Sequence, residues 1–515
     1  MDDTIVREKR SGRTRMREAQ ALATRRPDYH SLRNSFQPQP AFSDDEIGNI
    51  HRTALRVLEE LGLRVLLPEA RAIFRSAGAI VDEDSQMVRI GRDIVEEALA
   101  SAPRRIDARA GTCARDLVLE LGTMTFLAGC GAPNVTDLDR GRRPGSLADY
   151  EALTKLVQSF DVLYMQGPYV EAQDVDVRFR HYDVLRAQLT LSDKFAYVFA
   201  RGTPQTEDSF EMIRLARGLT ASEFENDAWC YTVINTNSPR QLDVPMAQGI
   251  IDFARAGQVS IITPFCLAGA MAPITVAGAL ALQHAEALAG ITLAQLCRKG
   301  APVVYGSFSS NVDMKSGSPA FGTPEHVRAT LGAGQLARLI GLPWRSGGGS
   351  AANVNDAQAA HETQFALWGS VLAGATICIH AAGWLEGGLS VSFEKLITDI
   401  EALQTVAELF MPAAANEAEI AFEAIADVPP GGHFFSTAHT MERYRTAFYQ
   451  PLVADLSNFG NWTAAGSKTA SERANAIWKR VIEEYRPIAD AEDIAARIDG
   501  FIARRKAEGG AEAVS

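Results

Sequence analysis

Metal-binding motifs are absent from this sequence of 515 residues. Its nine histidines stand apart, and no two of them lie within four residues of each other. There is no His-x-His after the first predicted strand, no His-Glu-x-x-His, no Gly-x-Ser-x-Gly and no Walker A lysine. Histidine and cysteine therefore lack the spacing of a zinc site, and we expect no bound metal.

Paired cysteines and long apolar runs are also missing. No uninterrupted apolar run reaches about 18 residues, so we expect no membrane span, and the N-terminus lacks the apolar core of a signal peptide. Six cysteines in apolar surroundings form no Cys-x-x-Cys pair: Cys113, Cys130, Cys230, Cys266, Cys297 and Cys378. These features predict free thiols and a cytoplasmic protein.

The chain also has no excess of positive charge. The chain has 51 Lys and Arg against 63 Asp and Glu, a net charge of −12, which argues against nucleic acid as a partner. Only residues 1–42 differ, with the arginine-rich stretch "VREKRSGRTRMREAQALATRRPDYH". We predict a basic, flexible arm there because large apolar residues are few.

A helical pattern begins after this arm. Ser43 and Glu46 have the spacing of a capping box, apolar residues then recur at helical intervals, and Gly62 is placed to end the helix. Two further helical patterns and the short strand "QMVRI" follow. We therefore predict an N-terminal helical cap with a small hairpin over residues 43–110.

Short apolar runs then alternate with helical patterns. The eight runs are "MTFLAGC" (124–130), "DVLYMQGP" (161–168), "KFAYVFARG" (194–202), "WCYTVINTN" (229–237), "VSIITPFCLAG" (259–269), "PVVYGSFSS" (302–310), "LPWRSGGG" (342–349) and "ATICIHAAGW" (375–384). Among the helical patterns between these runs are Pro239–Ala256, Thr275–Arg298 and Glu325–Ile340. Such alternation predicts parallel strands, and eight is the strand number of a TIM (β/α)8 barrel.

We therefore predict a TIM barrel over residues 111–415 and a C-terminal helical extension over 416–515. An open doubly wound sheet is the alternative. That fold usually carries a Gly-x-Gly-x-x-Gly turn after its first strand, which "LAGCGAPNV" does not complete.

In a barrel the ligand site lies where the strands end at their carboxyl termini. The substrate-binding candidates that follow the predicted strands are Tyr169, Asn235, Tyr305, Phe308, Asp313, Asn353, Asp356, His380, Trp384 and Glu386. Structural roles compete with this interpretation: the aromatic side chains could be core, Asp313 and Asp356 could cap helices, and His380 could be a hydrogen-bonded core histidine.

Several long stretches resemble the trimethylamine methyltransferase family. They are "GAMAPITVAGALALQHAEALAGITLAQL", "YGSFSSNVDMKSGSPAFGTPEH", "GLPWRSGGGSAANVNDAQAAHE", "LAGATICIHAAGWLEGGLSVSFEKLITDIE", "DLDRGRRPGSLADY" and the N-terminal "IGNIHRTALRVLEELGLRVLLPEARAIFRSAGA". The resemblance extends from Ser43 to about residue 485.

The resemblance implies a TIM barrel that moves a methyl group from a methylated amine to the cobalt of a corrinoid protein. The chain shows no pyrrolysine and so resembles the non-pyrrolysine branch, whose members use quaternary amines such as glycine betaine. It implies no cofactor bound by this chain, because the corrinoid is carried by a partner protein. "SAANVND" replaces the frequent Thr-Asp-Ser-Lys of the family, so the amine is left open.

A quaternary ammonium cannot donate a hydrogen bond, so aromatic faces and carboxylates must hold it. The candidate faces are Tyr169, Tyr305, Phe308 and Trp384, and the candidate charges are Asp313, Asp356 and Glu386. A betaine carboxylate would need Arg201, His380 or backbone N–H groups. Gly347, Gly348 and Gly349 are interpreted as backbone that faces the corrinoid. They are not interpreted as a phosphate-binding loop, because the lysine of such a loop is absent.

Two other functions remain open from the sequence. One is a barrel lyase or hydrolase that depends on a metal or on the carboxylates Asp313 and Asp356. The other is a catalytically silent methylamine-binding protein. We also expect a homo-oligomer.

Overall fold

A computed structural model describes Tyr29 and residues 32–514. The predicted basic arm over 1–42 lies outside these residues apart from Tyr29 and 32–42. Phe36 makes an edge-to-face contact with Trp368, with ring centroids 5.9 Å apart, and the side-chain amide of Asn34 donates to the carbonyl of Val371 at 2.6 Å. Residues 34 and 36 are therefore held against the body of the protein.

The first predicted helix is confirmed as Asp44–Arg56. Its capping box is formed as expected: the Ser43 hydroxyl accepts from the Glu46 backbone, and the Glu46 carboxylate accepts from the Ser43 backbone. The helix continues as one wider turn, Val57–Leu61, and ends at Gly62, whose φ of 71° favours glycine.

The two further helices and the small hairpin predicted for this region are present, and a second hairpin, which was not predicted, crosses residue 110. The strand Leu63–Val65 pairs with the hairpin Ile80–Asp82 and Met87–Arg89, and the helices are Pro68–Ser76 and Arg92–Ser101. A second hairpin joins Arg105–Ala108 to Leu117–Glu120, with a short 3₁₀ turn, Cys113–Arg115, between its strands.

A parallel sheet forms the centre of the molecule, and the prediction of parallel strands is confirmed. In spatial order its strands are Thr125–Phe126, Ile377–Ile379, Trp344–Gly347, Val303–Gly306, Val259–Ile262, Cys230–Ile234 and Ala196–Tyr197. The order runs steadily backwards along the chain from the second strand and never reverses, whereas a doubly wound sheet reverses at a switch point.

The two edges of this sheet are both hydrogen-bonded to residues 164–166. The backbone N–H of Tyr164 donates to the carbonyl of Phe126 at 3.1 Å, and that of Gln166 donates to the carbonyl of Phe195 at 2.9 Å. These residues belong to the second predicted run, so each of the eight runs contributes either a strand or this connection.

Helices follow the strands, as predicted. They are Leu147–Ser159, Val177–Leu191, Thr203–Arg217, Ala221–Asn226, Val244–Ala256, Val276–Cys297, Pro324–Ile340, Ala357–Leu372 and Phe393–Phe410. The helix expected from Pro239 begins only at Val244, because Asp243 caps it and because Gln241–Leu242 pairs with Leu63–Val65 instead.

The helix Val276–Cys297 has apolar residues all round its circumference, and other elements of the fold cover both its inner and its outer face. Its inner face meets the sheet, where a Cβ on Gly290 would lie 2.6 Å from Ile262. Its outer face meets the N-terminal helices, where His284 Nε2 is 2.8 Å from His51 Nδ1. The helix is long and apolar enough to cross a membrane, but 83% of its most apolar window is buried within the protein.

Short strands at the carboxyl ends of the central strands build a rim. One small sheet contains Leu267–Ala268, Ser310–Val312 and Pro319–Ala320, and the other contains Asn134–Thr136, Arg143–Pro144, Trp384–Leu385 and Ser390–Ser392. The remaining helices are Glu417–Ile420, Phe422–Ala426, Ala438–Arg443, Phe459–Ala464, Ala470–Glu483 and Ala491–Ala507.

Candidate functional site

A cavity of about 420 Å³ lies at the carboxyl ends of the central strands. Six aromatic side chains contribute to its wall: Tyr197, Phe199, Tyr231, Phe265, Phe308 and Trp384. The polar groups are few and include Asn235, Arg345 and His380. A concave site with an apolar wall and a few placed polar groups is typical of small-molecule binding.

Arg345 is the buried charged group of this cavity, whereas Glu171, which is partly exposed, and Arg201, which is exposed, also line it. It lies in the strand Trp344–Gly347 and is 2% exposed. Its Nε and Nη1 atoms have no hydrogen-bond partner among the described residues, and its guanidinium carbon lies 4.6 Å from the centroid of the Phe308 ring. Burial lowers the pKa of Arg345 to about 10, so it remains a cation at neutral pH.

An unpaired buried guanidinium is costly, because its lost hydration is not replaced. Its planar fork of donors matches a carboxylate, which it can bind through two parallel hydrogen bonds. The arrangement at Arg345 is therefore that of a receptor for a small anion.

His380 lies beside Arg345 as a neutral side chain. The backbone N–H of Cys130 donates to its Nδ1 at 3.2 Å, which places the proton of the neutral ring on Nε2. Burial and the charge of Arg345 hold the pKa of His380 well below its ordinary value. Nε2 has no hydrogen-bond partner within the described part of the chain, so His380 is available as a second donor to a ligand.

The backbone of His380 is strained, since its φ is +59° and non-glycine residues rarely adopt this conformation. The conformation brings the imidazole onto Trp384, with centroids 4.4 Å apart and planes inclined by 22°. The Trp384 indole N–H donates to the carbonyl of Cys130 at 3.2 Å. One hydrogen-bonded unit therefore holds His380 and Trp384 in place.

The lowered pKa of His380 makes stability depend on pH. The unfolded chain binds a proton at the ordinary histidine pKa of about 6.5, whereas the folded protein does not. We therefore expect the contribution of His380 to the free energy of unfolding to be fully present above about pH 6.5. Below it, His380 should contribute a loss of about 1.4 kcal/mol per pH unit, down to its folded pKa.

Urea unfolding of the wild type and of His380→Gln from about pH 8 to 5 measures this slope. The variant should lose less stability on acidification. His361→Gln is the control, because His361 is exposed, and it should follow the wild type. Equal slopes in all three proteins would contradict the assignment.

Gly347, Gly348 and Gly349 make room for neighbouring side chains and backbone. A Cβ on Gly347 would lie 2.5 Å from the Phe308 ring, and one on Gly349 would lie 2.3 Å from the Trp384 ring. A Cβ on Gly348 would lie 2.9 Å from the carbonyl oxygen of His380. The glycines are buried behind these groups, and their predicted position facing a corrinoid stays a prediction.

The loop after these glycines is held by Glu362. Its Oε2 accepts from the Ser350 hydroxyl at 2.7 Å and from the backbone N–H groups of Ala351 and Ala352 at 2.8 and 3.1 Å. The "SAA" sequence is therefore anchored to the following helix rather than free to move as a linker would be.

Some predicted site residues come together in the cavity, and others lie at its edge. Phe308, His380 and Trp384 line it, as does Asn235, whose side chain is exposed at the mouth. Glu386 lies just beyond the wall, where both of its carboxylate oxygens accept from Arg142 Nε at 2.9 and 3.0 Å.

The structure places the remaining predicted residues elsewhere. Tyr169 and Tyr305 are buried and satisfied internally: the Tyr169 hydroxyl donates to Gln166 at 2.8 Å, and the Tyr305 hydroxyl is 3.0 Å from His284. Asp356 caps the helix Ala357–Leu372. The other two are exposed, Asn353 in a loop and Asp313 in a turn closed by Ser316.

Arg345 is the residue that the sequence analysis missed. A signal was present, because a lone arginine interrupts the apolar run "LPWRSGGG" at a position that shares a strand face with Gly347. Among Tyr29 and residues 32–514, no group of three or more His, Cys, Asp or Glu side chains could hold a metal ion.

The fold and the cavity define an α/β protein with a candidate small-molecule site at the carboxyl ends of parallel strands. Comparison with known proteins identifies the family within this class. The sequence model of the family described as Trimethylamine methyltransferase (MTTB) matches residues 7–510.

Relatives match over most of their length. Glycine betaine methyltransferase of Desulfitobacterium hafniense (strain Y51) is 34% identical over 91% of this chain and 98% of its own. Trimethylamine methyltransferase MttB of Desulfitobacterium hafniense (strain DSM 10664 / DCB-2) is 30% identical over 91% and 94%. Among solved structures, the Methanosarcina barkeri monomethylamine methyltransferase MtmB is 8% identical over 88% and 96%, with a TM-score of 0.44.

The chain belongs to the trimethylamine methyltransferase family. It is therefore a methyltransferase, and the resemblance noted in its motifs is confirmed.

Proposed function

We propose that this protein transfers a methyl group from a carboxylated quaternary amine, with glycine betaine as the best candidate, to the Co(I) of a corrinoid protein. The observation that carries the proposal is Arg345, a buried cation in an aromatic cavity whose Nε and Nη1 atoms have no acceptor among the described residues. Trimethylamine offers this guanidinium no anion, whereas a betaine offers one carboxylate.

The cavity suits both ends of such a zwitterion. The carboxylate would bind Arg345, with His380 Nε2–H as a second donor. The trimethylammonium end would lie against aromatic faces, which attract cations without hydrogen bonds. The face of the Phe308 ring is already occupied by the Arg345 guanidinium, so we assign Phe308 the role of positioning that arginine. Tyr197, Tyr231 and Phe265 are the proposed aromatic faces for the trimethylammonium group.

The residues of this chain act by holding and orienting the substrate. The N–CH₃ bond breaks with its electron pair staying on nitrogen, so the amine leaves neutral and needs no general acid. The corrinoid, carried by its own protein, supplies the nucleophile as a second substrate. Anchoring the carboxylate on Arg345 fixes the position of the methyl group, and the aromatic wall excludes water from it.

The rim fits a visiting partner protein. Five large apolar side chains are exposed in loops that follow the central strands: Leu138, Ile274, Met314, Val354 and Leu389. Leu389 also lines the cavity. An exposed apolar rim around a substrate cavity supports docking of the corrinoid carrier there.

We also infer that the central sheet closes into a complete (β/α)8 barrel within residues 111–415. The hydrogen bonds of Tyr164 and Gln166 to its two edges support closure. Residues 43–110 are then a helical cap, and 416–515 a helical extension. All six cysteines are free thiols, which supports a reducing, cytoplasmic location.

Incubation with cob(I)alamin and three candidate donors tests the proposal. We expect methylation of the corrinoid with glycine betaine to give dimethylglycine. Trimethylamine and choline should react with a kcat/KM on the order of 100-fold lower, because they leave Arg345 unpaired. Preference for trimethylamine would contradict the substrate class, and calorimetric binding of betaine without turnover, even with a corrinoid protein supplied, would identify a silent binding protein.

A further inference from the structure

The cavity wall contains a carboxylate to which the proposed function gives no role. Glu171 is the one acidic residue among the described residues that line the cavity. Its backbone is fixed, because its N–H donates to the carbonyl of Ala132 at 2.9 Å and its carbonyl accepts from Gln173 at 3.0 Å. The Glu171 side chain is 35% exposed, so its carboxylate lies on the solvent side of the cavity.

The charge of Glu171 is only partly compensated. Its two carboxylate oxygens lie 3.8 Å from Arg180 Nη1 and 3.7 Å from Arg201 Nη2. Both distances exceed the hydrogen-bond range of about 2.7–3.2 Å. The carboxylate of Glu211, by contrast, accepts two hydrogen bonds from Arg214 at 2.8 and 2.9 Å. Glu171 can therefore accept a further cation without breaking a hydrogen bond between side chains of the described chain.

The Glu171 carboxylate lies beside the aromatic wall of the cavity. The connection that precedes it is hydrogen-bonded to the carbonyl of Phe195, and Tyr197 and Phe199 follow on that segment. The Tyr197 and Phe199 rings meet edge to face, with centroids 5.1 Å apart. Arg201 adjoins both features, because its guanidinium carbon is 5.9 Å from the Phe199 centroid and its Nη2 contacts Glu171. A cation held on this wall would lie near the carboxylate.

The buried Arg345 belongs to a different wall. Two other strands of the central sheet separate the strand that carries Arg345 from residues 164–166, which lead to Glu171. The cavity thus has an enclosed positive charge on one wall and a more exposed negative charge on another. A zwitterion with its carboxylate inside and its ammonium towards the opening matches both charges. In that orientation its methyl groups face the side from which a corrinoid must approach.

We propose that Glu171 is a specificity-determining residue: its carboxylate attracts the quaternary nitrogen and favours it over a neutral group of the same shape. This inference rests on the proposed function, which assigns the other end of the substrate to Arg345. Glu171 exchanges no proton or electron pair. The N–CH₃ bond breaks with its electron pair on nitrogen, and the new bond to carbon uses the two electrons of Co(I).

The charge on nitrogen gives this role a kinetic signature. The nitrogen is fully positive in the bound substrate and partly neutral in the transition state, so Glu171 stabilises the bound substrate more than the transition state. Removal of the carboxylate charge should therefore raise KM and also raise kcat. Loss of a side chain with a merely structural role would not raise kcat.

Calorimetry with two ligands of the same shape tests the role without a corrinoid. One is glycine betaine, and the other is 3,3-dimethylbutyrate, in which a neutral carbon replaces the nitrogen. Glu171→Gln should weaken betaine binding on the order of 10-fold. Binding of 3,3-dimethylbutyrate should be unchanged or slightly tighter, because Glu171 also repels its carboxylate. Glu211→Gln is the matched control: Glu211 is 32% exposed and paired with arginine but lies outside the cavity, so both affinities should be those of the wild type.

Methyl transfer to cob(I)alamin gives the second measurement. At saturating betaine, Glu171→Gln should have a kcat raised about 3-fold and a KM raised on the order of 10-fold. Unchanged betaine affinity, equal losses for both ligands, or a lowered kcat in Glu171→Gln would each overturn the role. Failure of the wild type to bind either ligand would overturn the proposed function itself, and this role with it.

Discussion

Replacing Arg345 with methionine should abolish turnover of the carboxylated substrate. A buried charge pair that loses one partner loses about 2–5 kcal/mol, which corresponds to a decrease in kcat/KM on the order of 1,000-fold. Arg345→Lys keeps the charge but not the planar fork that lies on Phe308, so we expect a loss on the order of 10- to 100-fold. Steady-state methylation of cob(I)alamin with glycine betaine measures both variants.

The folded protein should tolerate the methionine. Arg345 is an unpaired cation without bound substrate, and replacing a buried charge with an apolar side chain of similar length is often neutral or stabilising. We therefore expect an unchanged or higher thermal midpoint for Arg345→Met. Loss of activity without loss of stability is the result that a merely structural arginine would not give.

Arg201→Met provides the matched control. The Arg201 side chain also borders the cavity but is 49% exposed, and its Nη2 lies 3.7 Å from Glu171. Exposed pairs contribute about 0–1 kcal/mol, so kcat/KM should fall less than about 10-fold. Wild-type turnover of betaine by Arg345→Met would contradict the proposed substrate contact.

Gly349→Ala should have the second largest effect. The new Cβ would lie 2.3 Å from Cε3 of Trp384, and the φ of +107° is a conformation that alanine rarely adopts. We expect a loss of about 2–4 kcal/mol in the free energy of unfolding, and a raised KM because Trp384 must move away from His380. Urea unfolding and steady-state kinetics measure the two effects.

Gly141→Ala is the control for backbone strain alone. Gly141 has a φ of +68°, and no heavy atom lies within 4 Å of its ideal Cβ position. This substitution should cost only about 1 kcal/mol and leave KM unchanged. Equal losses in the two variants would show that collision with Trp384 is not the cause.

Local patterns predicted most of the secondary structure. The Ser43 capping box, the helix Pro68–Ser76 and the position of each apolar run are decided by residues within a few positions of one another. The error at Pro239 has a tertiary cause: Gln241–Leu242 pairs with a strand almost 180 residues earlier, and no local signal reveals such a partner.

The candidate site was predictable only in part. The rim positions of Phe308, His380 and Trp384 follow from their places after apolar runs. Tyr305 has the same signal, but its hydroxyl meets His284, on a helix that the sequence does not orient. Arg345 was missed because the evidence for its role is that it is buried without a hydrogen-bond partner. Burial and the absence of a partner are properties of the folded cavity, and the sequence does not show them.

The sequence by itself determined the family, the alternation of helix and strand, and the glycines of the rim. These depend on residue identity and on spacing along the chain. Only the tertiary structure decided that Arg345 lies on Phe308, that Gly347, Gly348 and Gly349 face an aromatic ring or the His380 backbone, and that Tyr169 and Tyr305 are buried outside the cavity. Those relations join residues brought together by sheet closure and helix packing, which are set by contacts over the whole molecule.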